Sequence, residues 1–364
     1  MVVKFVQSNL AIFLDSKMRI SQKYSFIVFG LHGSGLHSLL YYISLCKDRN
    51  NQHVFPMPFH IFSNNFDLYG RFKCVRFFFR MYPILRKKNI AYWGLTLDGT
   101  KHTKQWLQHN ITKKVPIIIL VRDPIQRLLS IINFEIFLHI HAQQAFSTYG
   151  LFKKIIEREI VNTSNELSNI FNISTSQKIY IDSDNLTGVA TYPTIQKICK
   201  SLGLKASFNE SFEYAINSPI QRYFTDPIIY NNQKFYLSSF PHFFRITCYP
   251  HYFSPNYCDD LGYLYQQEYI SPIFPNQKFY LFSQYQVEID ERFKSKIEKY
   301  LENFKNILIQ YDNKKINLST FLEFAKNNDH IRYIQDTLLK ETSVIPMEIT
   351  QKWETYQSFM QIKN

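Results

Sequence analysis

The chain has 364 residues, 45% of them hydrophobic, and a formal net charge of +13. That length supports one large domain or two smaller ones, and the apolar share excludes a globally disordered chain. The basic surplus points to an anionic partner, whether a nucleotide, an acidic glycan, nucleic acid or an anionic membrane face.

No run of about 18 apolar residues occurs, so no membrane span is expected. The N-terminal twenty residues carry only short apolar runs broken by Lys, Gln, Asn and Asp, which does not read as a signal peptide. The five cysteines are odd in number and contain no CxxC spacing. A disulfide framework or zinc site is therefore not expected, and no other metal-ligand cluster stands out. The expected location is the cytoplasm, with peripheral contact to the inner membrane as an extension of the charge argument.

Residues 24–29, YSFIVF, read as a buried strand. Residues 36–46 place Leu36, Leu39, Leu40 and Ile43 on one helical face. Between them lie Gly30, Gly33 and Gly35, three of the chain's ten glycines. Residues 71–88 are basic and aromatic, a helix broken at Pro83. Residues 91–97 read as a short strand ending at Asp98-Gly99, and QWLQHN as part of a helix. Residues 116–121, PIIILV, form the clearest strand. The helix after it opens near Pro124, where the missing N–H costs nothing. Residues 151–172 read as helix and 178–183 as strand. TIQKICKSLGL reads as an amphipathic helix with Gly203 near its C-cap.

This alternation predicts an α/β fold with a central parallel sheet flanked by helices. The expected organisation is an N-terminal extension over 1–20, an α/β domain over 21–286 that includes an irregular aromatic-rich stretch 207–286, and a helical C-terminal region 287–364.

A glycine-containing turn between strand and helix suits a phosphate. Its N–H groups converge, the helix end adds positive charge, and glycine leaves room for close approach. The pattern is not a Walker A loop, since Leu36 and His37 occupy the Lys and hydroxyl positions, and it misses GxGxxG. An ordinary strand-to-helix turn explains the glycines equally well. Arg122, directly after a strand, offers a fork suited to phosphate oxygens. Ser130 on the following helix can add a hydroxyl.

With VRDPIQRLLS on the page, the sequence resembles the sulfotransferases that use 3′-phosphoadenosine 5′-phosphosulfate (PAPS), in a bacterial branch. Their strand followed by R-[ND]-P-x-x-R-x-x-S matches Arg122, Asp123, Pro124, Arg127 and Ser130. The stretch KIYIDSDNLTGVATYPTIQKICKSLGL is similar to their later strand, acidic-Leu turn and helix. The family also has a glycine-containing loop after its first strand, the place of Gly30–Gly35 here, and the three pieces run in family order, discontinuously, over residues 24–205.

The resemblance implies a P-loop-like sulfotransferase fold. Gly30, Gly33, Ser34, Gly35, Leu36 and His37 would seat the 5′-phosphosulfate, and Arg122 and Ser130 the 3′-phosphate. Arg127 would support the turn. PAPS would be the donor, without a metal, and the acceptor a hydroxyl of a bacterial surface glycan or its precursor; nucleic acid is not expected.

Transfer needs a base and a group for the leaving oxygen. Asp98 is the first candidate base and His102 the second, while His32 or Lys101 could stand by the leaving oxygen. Against these readings, an Asp before Gly is commonly a turn former, and His32 and His37 fit exposed positions. The chain departs from the family at Gly33, where a Lys is usual, and at Leu36, where Thr is common. The alternative is therefore a catalytically inactive nucleotide- or glycan-binding protein on the same fold. The basic residues Arg71, Lys73, Arg76, Arg80, Arg86, Lys87 and Lys88 could face an acidic acceptor or a membrane, or form a solvated helix face.

Overall fold

A computed structural model describes residues 24–51, 54–58, 92–98, 111, 113–171, 176–207, 227–238, 265–283, 286–326 and 330–362. The 1–20 extension, the basic 71–88 segment, the QWLQHN helix, Lys101 and His102 lie outside these residues, as do Cys74, Cys248 and Cys258. Among the described residues no helix is long and apolar enough to cross a membrane.

The chain divides into two compact units. The first comprises Met1–Ser130, Lys154–Ala215 and Leu322–Asn364, and the second Ile131–Lys153 and Ile216–Phe321. The region 287–364 is helical over most of its described residues, but it is shared between the units at Phe321/Leu322.

In the first unit, β1 (Tyr24–Gly30), β2 (Val54–Pro58), β3 (Tyr92–Asp98), β4 (Ile117–Val121) and β5 (Lys178–Asp182) form a parallel sheet in the order β2-β3-β1-β4-β5. Every residue of β4 is buried, as are all of β1 except Ser25. A continuous apolar run is what a strand covered on both faces requires. Phe26 is fully buried, and its ring lies across the neighbouring strand at Gly94. A Cβ on Gly94 would stand 2.2 Å from that ring, so the register needs glycine there.

Helix α1 (Leu36–Ser44) follows β1, and α2 (Pro124–His141) follows β4 with Pro124 as its first residue. Helix α3 (Thr148–Phe171) leads to β5. Two short 3₁₀ turns then lead into α4 (Thr191–Leu202), which Gly203 ends in the left-handed conformation at φ 69. Lys47, just past α1, exchanges two backbone hydrogen bonds with Lys205, just past α4, at 2.9 and 2.8 Å. Beside this bridge the buried thiols of Cys46 and Cys199 touch at 3.0 Å, and the hydrogen bond between them, with burial, pushes the Cys46 pKa up.

Where the stretch 207–286, expected to be irregular, is described, the second unit instead carries strands. Strands β6 (Ile228–Tyr230), β7 (Gln233–Ser238), β8 (Tyr265–Ile270) and β9 (Lys278–Ser283) form an antiparallel sheet in the order β6-β7-β9-β8. Asn231 and Asn232, both at positive φ, make the two-residue turn between β6 and β7, a conformation that Asn tolerates. Helix α5 (Glu291–Lys314) belongs to the same unit. It buries Phe293, Ile297, Leu301 and Phe304, one stripe at helical spacing, against Phe235, Leu237, Phe279 and Leu281 of the sheet. Asp290 caps it, accepting a hydrogen bond from the Phe293 N–H at 2.7 Å.

Helix α6 (Leu318–Lys326) spans the boundary between the units. Helices α7 (His330–Thr342), α8 (Met347–Thr350) and α9 (Glu354–Met360) return the chain to the first unit.

Candidate anion-binding site

In the first unit β1 is central, with β3 on one side and β4 on the other. The chain runs β1 to β2 and β3, then crosses to β4 and β5. The carboxyl ends of β1 and β4 therefore flank the point where the winding reverses, the usual ligand crevice of an open parallel sheet. The register brings Gly30 beside Asp98 of β3 and Leu120 of β4, and Val121 beside Asp182 of β5. Both segments singled out in the sequence leave the sheet at this crevice.

The turn after β1 closes with the Ser34 N–H donating to the Leu31 carbonyl at 3.0 Å. Gly33 (φ 80) and Gly35 (φ 86) take left-handed angles that a side chain would strain. A Cβ on Gly30 would meet Ser34 Oγ at 2.8 Å. Gly35 caps α1 with no side-chain hydrogen bond, and the first turn carries no acidic residue. Helical bonding begins with Ser38 and Leu39 donating to the Gly35 carbonyl, so the N–H groups of Leu36 and His37 project from the helix end. Two hydroxyls lie near this turn. Ser34 is 1% exposed and Ser183 is 9% exposed, and neither Oγ has a hydrogen-bond partner among the described residues. Ser183 Cβ lies 4.0 Å from where a Cβ on Gly35 would stand.

Arg122 reaches this turn directly, donating from Nη1 to the Gly33 carbonyl at 2.9 Å. The two segments therefore converge as the sequence reading required. Burial pulls the guanidinium pKa down, while Asp184, Asp123 and Asp182 favour its charged form. Among the described residues Arg122 nonetheless makes no ion pair, and its buried Nε has no partner.

The neighbouring carboxylates are occupied elsewhere. Asp123 Oδ1 accepts from the N–H groups of Ile125 (2.9 Å) and Gln126 (3.3 Å), and its Oδ2 accepts from Tyr356 N–H at 2.9 Å. Asp182 Oδ1 accepts from Asp184 N–H at 3.1 Å, and its Oδ2 from the indole Nε1 of Trp353 at 2.7 Å. Burial raises the pKa of both aspartates against these donors.

Arg127 pairs with Glu341 at 2.9 Å, both side chains almost fully buried, and its Nη1 donates to the His32 carbonyl at 3.4 Å. Arg127 thus links Glu341 of α7 to the His32 carbonyl of the turn.

The remaining expected site residues divide. Leu36 is 6% exposed, and its side chain packs against Gly30, where an added Cβ would meet it at 3.2 Å. His37 lies in the first turn of α1. His32 is half-buried with its carbonyl taken up by Arg127. Ser130 is half-buried on α2, three residues beyond Arg127 and hence on the same side of the helix. Asp98 ends β3 next to Gly30, a placement fixed by the backbone register. Five residues that complete the site were not singled out in the sequence. Asp182 and Ser183 fall within IDSDNL, whose acidic-Leu turn was the only pointer to them, and Trp353, Tyr356 and Glu341 carry no motif signal.

Among the described residues no group of three or more His, Cys, Asp or Glu could hold a metal ion. Comparison with known proteins finds no matching family model, curated protein or solved structure. The site brings together a half-buried guanidinium, the open N-terminal end of α1 and two buried hydroxyls.

Proposed function

We propose that this chain is a sulfotransferase-like enzyme that takes PAPS as donor and moves its sulfuryl group to a hydroxyl, of a bacterial surface glycan or its precursor. The observation that carries the reading is Arg122, a half-buried guanidinium with a buried, unpartnered Nε and no paired carboxylate among the described residues, set against a glycine turn at the crevice where the sheet reverses. A partly desolvated charge without a counter-ion is costly, and a nucleotide phosphate would relieve that cost through charge-assisted hydrogen bonds. Ser34, Ser183 and the N–H groups of Leu36 and His37 would receive the phosphosulfate end. Arg122 and Ser130 would receive the 3′-phosphate.

In the transfer the acceptor oxygen bonds to sulfur while the bond from sulfur to the 5′-phosphate oxygen breaks. Asp98, at the strand end beside Gly30, would take the acceptor proton. The released product is adenosine 3′,5′-bisphosphate.

Titration calorimetry with that bisphosphate tests the donor assignment. The expected result is saturable binding, and Arg122→Ala weakens it by about 1.5–3 kcal/mol, the scale of a hydrogen bond to a charged group. Absence of binding to the intact protein refutes the assignment.

A second reading, an inactive nucleotide- or glycan-binding protein, is favoured by one observation. Gly33 stands where the family carries its loop Lys, and its carbonyl is held by Arg122. Bisphosphate binding with no transfer from PAPS to any glycan acceptor would select it.

A further inference from the structure

We propose that Trp353 is a positioning residue for Arg122: its indole N–H holds the Asp182 carboxylate, keeping the guanidinium open to an incoming anion. The inference rests on the anion-seat reading above and adds to it a role for the C-terminal segment. Three acidic side chains stand close enough to Arg122 to favour its charge, yet none reaches ion-pair distance among the described residues.

The hydrogen bonds explain why. Asp123 accepts from three backbone N–H groups, two on Oδ1 and the third, from Tyr356, on Oδ2. Asp182 has two donors, and the stronger by distance is Trp353 Nε1 at 2.7 Å. Asp184 is exposed, so water and salt screen it. Lys352, the cation that favours the charge of Asp182, is exposed and screened in the same way. Asp182 is half-buried and its charge acts on Arg122, so once released from the indole it would be drawn to the guanidinium in a medium that strengthens their attraction. Trp353 itself is 3% exposed and packs edge-on against Tyr356. Its N–H is therefore fixed in direction, as a device that must outcompete a cation requires.

The test uses the full chain and adenosine 3′,5′-bisphosphate. Trp353→Phe keeps an aromatic ring and removes the donor. The expected outcome is about a tenfold loss of bisphosphate affinity, recovered to within about threefold when Asp182→Asn is added, since the charge that competes for Arg122 is then gone. A purely structural role for Trp353 predicts no such recovery, and that result overturns the proposal.

Where Trp353→Phe alone does not fold, the comparison of Asp182→Asn with Asp182→Asn/Trp353→Phe decides. Equal affinities support the proposal, and a clear difference refutes it. A crystal structure of Trp353→Phe gives a readout that needs no ligand. The Asp182 carboxylate is expected within about 4 Å of Arg122, the ion-pair limit; an unmoved carboxylate overturns the proposal. If the wild type binds no bisphosphate, the donor reading fails while this structural arm still decides the role of Trp353.

Discussion

Removing Glu341 tests how the first unit holds its glycine turn. Arg127 and Glu341 meet at 2.9 Å with side chains 2% and 3% exposed. Arg127 also reaches the His32 carbonyl. Glu341→Ala leaves a buried guanidinium without its carboxylate, which costs about 3–5 kcal/mol. With a urea slope of about 3 kcal/mol per molar, the unfolding midpoint falls by about 1–1.7 M. Tryptophan fluorescence isolates the relevant unit, because residues 131–153 and 216–321 contain none of the chain's three tryptophans. The double replacement Arg127→Met/Glu341→Leu removes both charges and keeps apolar volume, so it is expected to recover most of the loss. If Glu341→Ala shifts the midpoint by less than about 0.3 M, below 1 kcal/mol on the same slope, the pair does not hold the turn.

Gly94→Ala is expected to lower the stability of the same unit by about 1–3 kcal/mol, the usual range for overpacking. The new Cβ would meet the fully buried ring of Phe26 at 2.2 Å, and an unchanged urea midpoint would show that the ring can withdraw at little cost. Asp182→Asn is expected to flatten the acid-range dependence of stability. Burial raises the folded pKa of Asp182 above its ordinary value of 3.8, so between the two values the folded state holds more protons than the unfolded one. The stability this contributes is fully present below the unfolded pKa and is lost as pH rises through the folded value. Urea midpoints between about pH 3 and pH 6 should show a shallower fall in Asp182→Asn, with Asp123 giving the residual slope of the same sign. An identical slope in both proteins would mean that Asp182 titrates normally.

The parallel sheet was legible because its signal is local. A strand buried on both faces must be apolar throughout, and PIIILV and YSFIVF are such runs. Gly203, Pro124 and the glycines after β1 mark element ends for reasons confined to their own backbone angles and missing groups. The antiparallel sheet carried such buried runs only in FYL of β7 and FYLF of β9. Its β8 strand, YQQEYI, is exposed at five of its six positions, so composition there reports solvent rather than a core. The pairing of β7 with β9, 233–238 with 278–283, is non-local. No two-residue period within either stretch specifies which partner it takes.

The candidate site shows the same boundary between local and distant causes. Arg122 and the Gly33 turn could be named from the sequence, because a strand-end arginine and a strand-to-helix glycine turn each have a local reason to exist. Charge counting along the chain would then have misled. Asp123, Asp182 and Asp184 all lie near Arg122, and a sum of charges would call that guanidinium neutralised. What decides the matter is where the carboxylate lone pairs point. The N–H groups that turn them lie at Tyr356 and Trp353, 233 and 171 residues away from the aspartates they hold. A hydrogen bond to a specific oxygen competes directly with an ion pair for the same lone pairs, and here the C-terminal segment supplies the competing donors. The carboxylates beside Arg122 are thus held as much by Trp353 and Tyr356, which show no motif, as by the RDP segment that drew attention to the crevice.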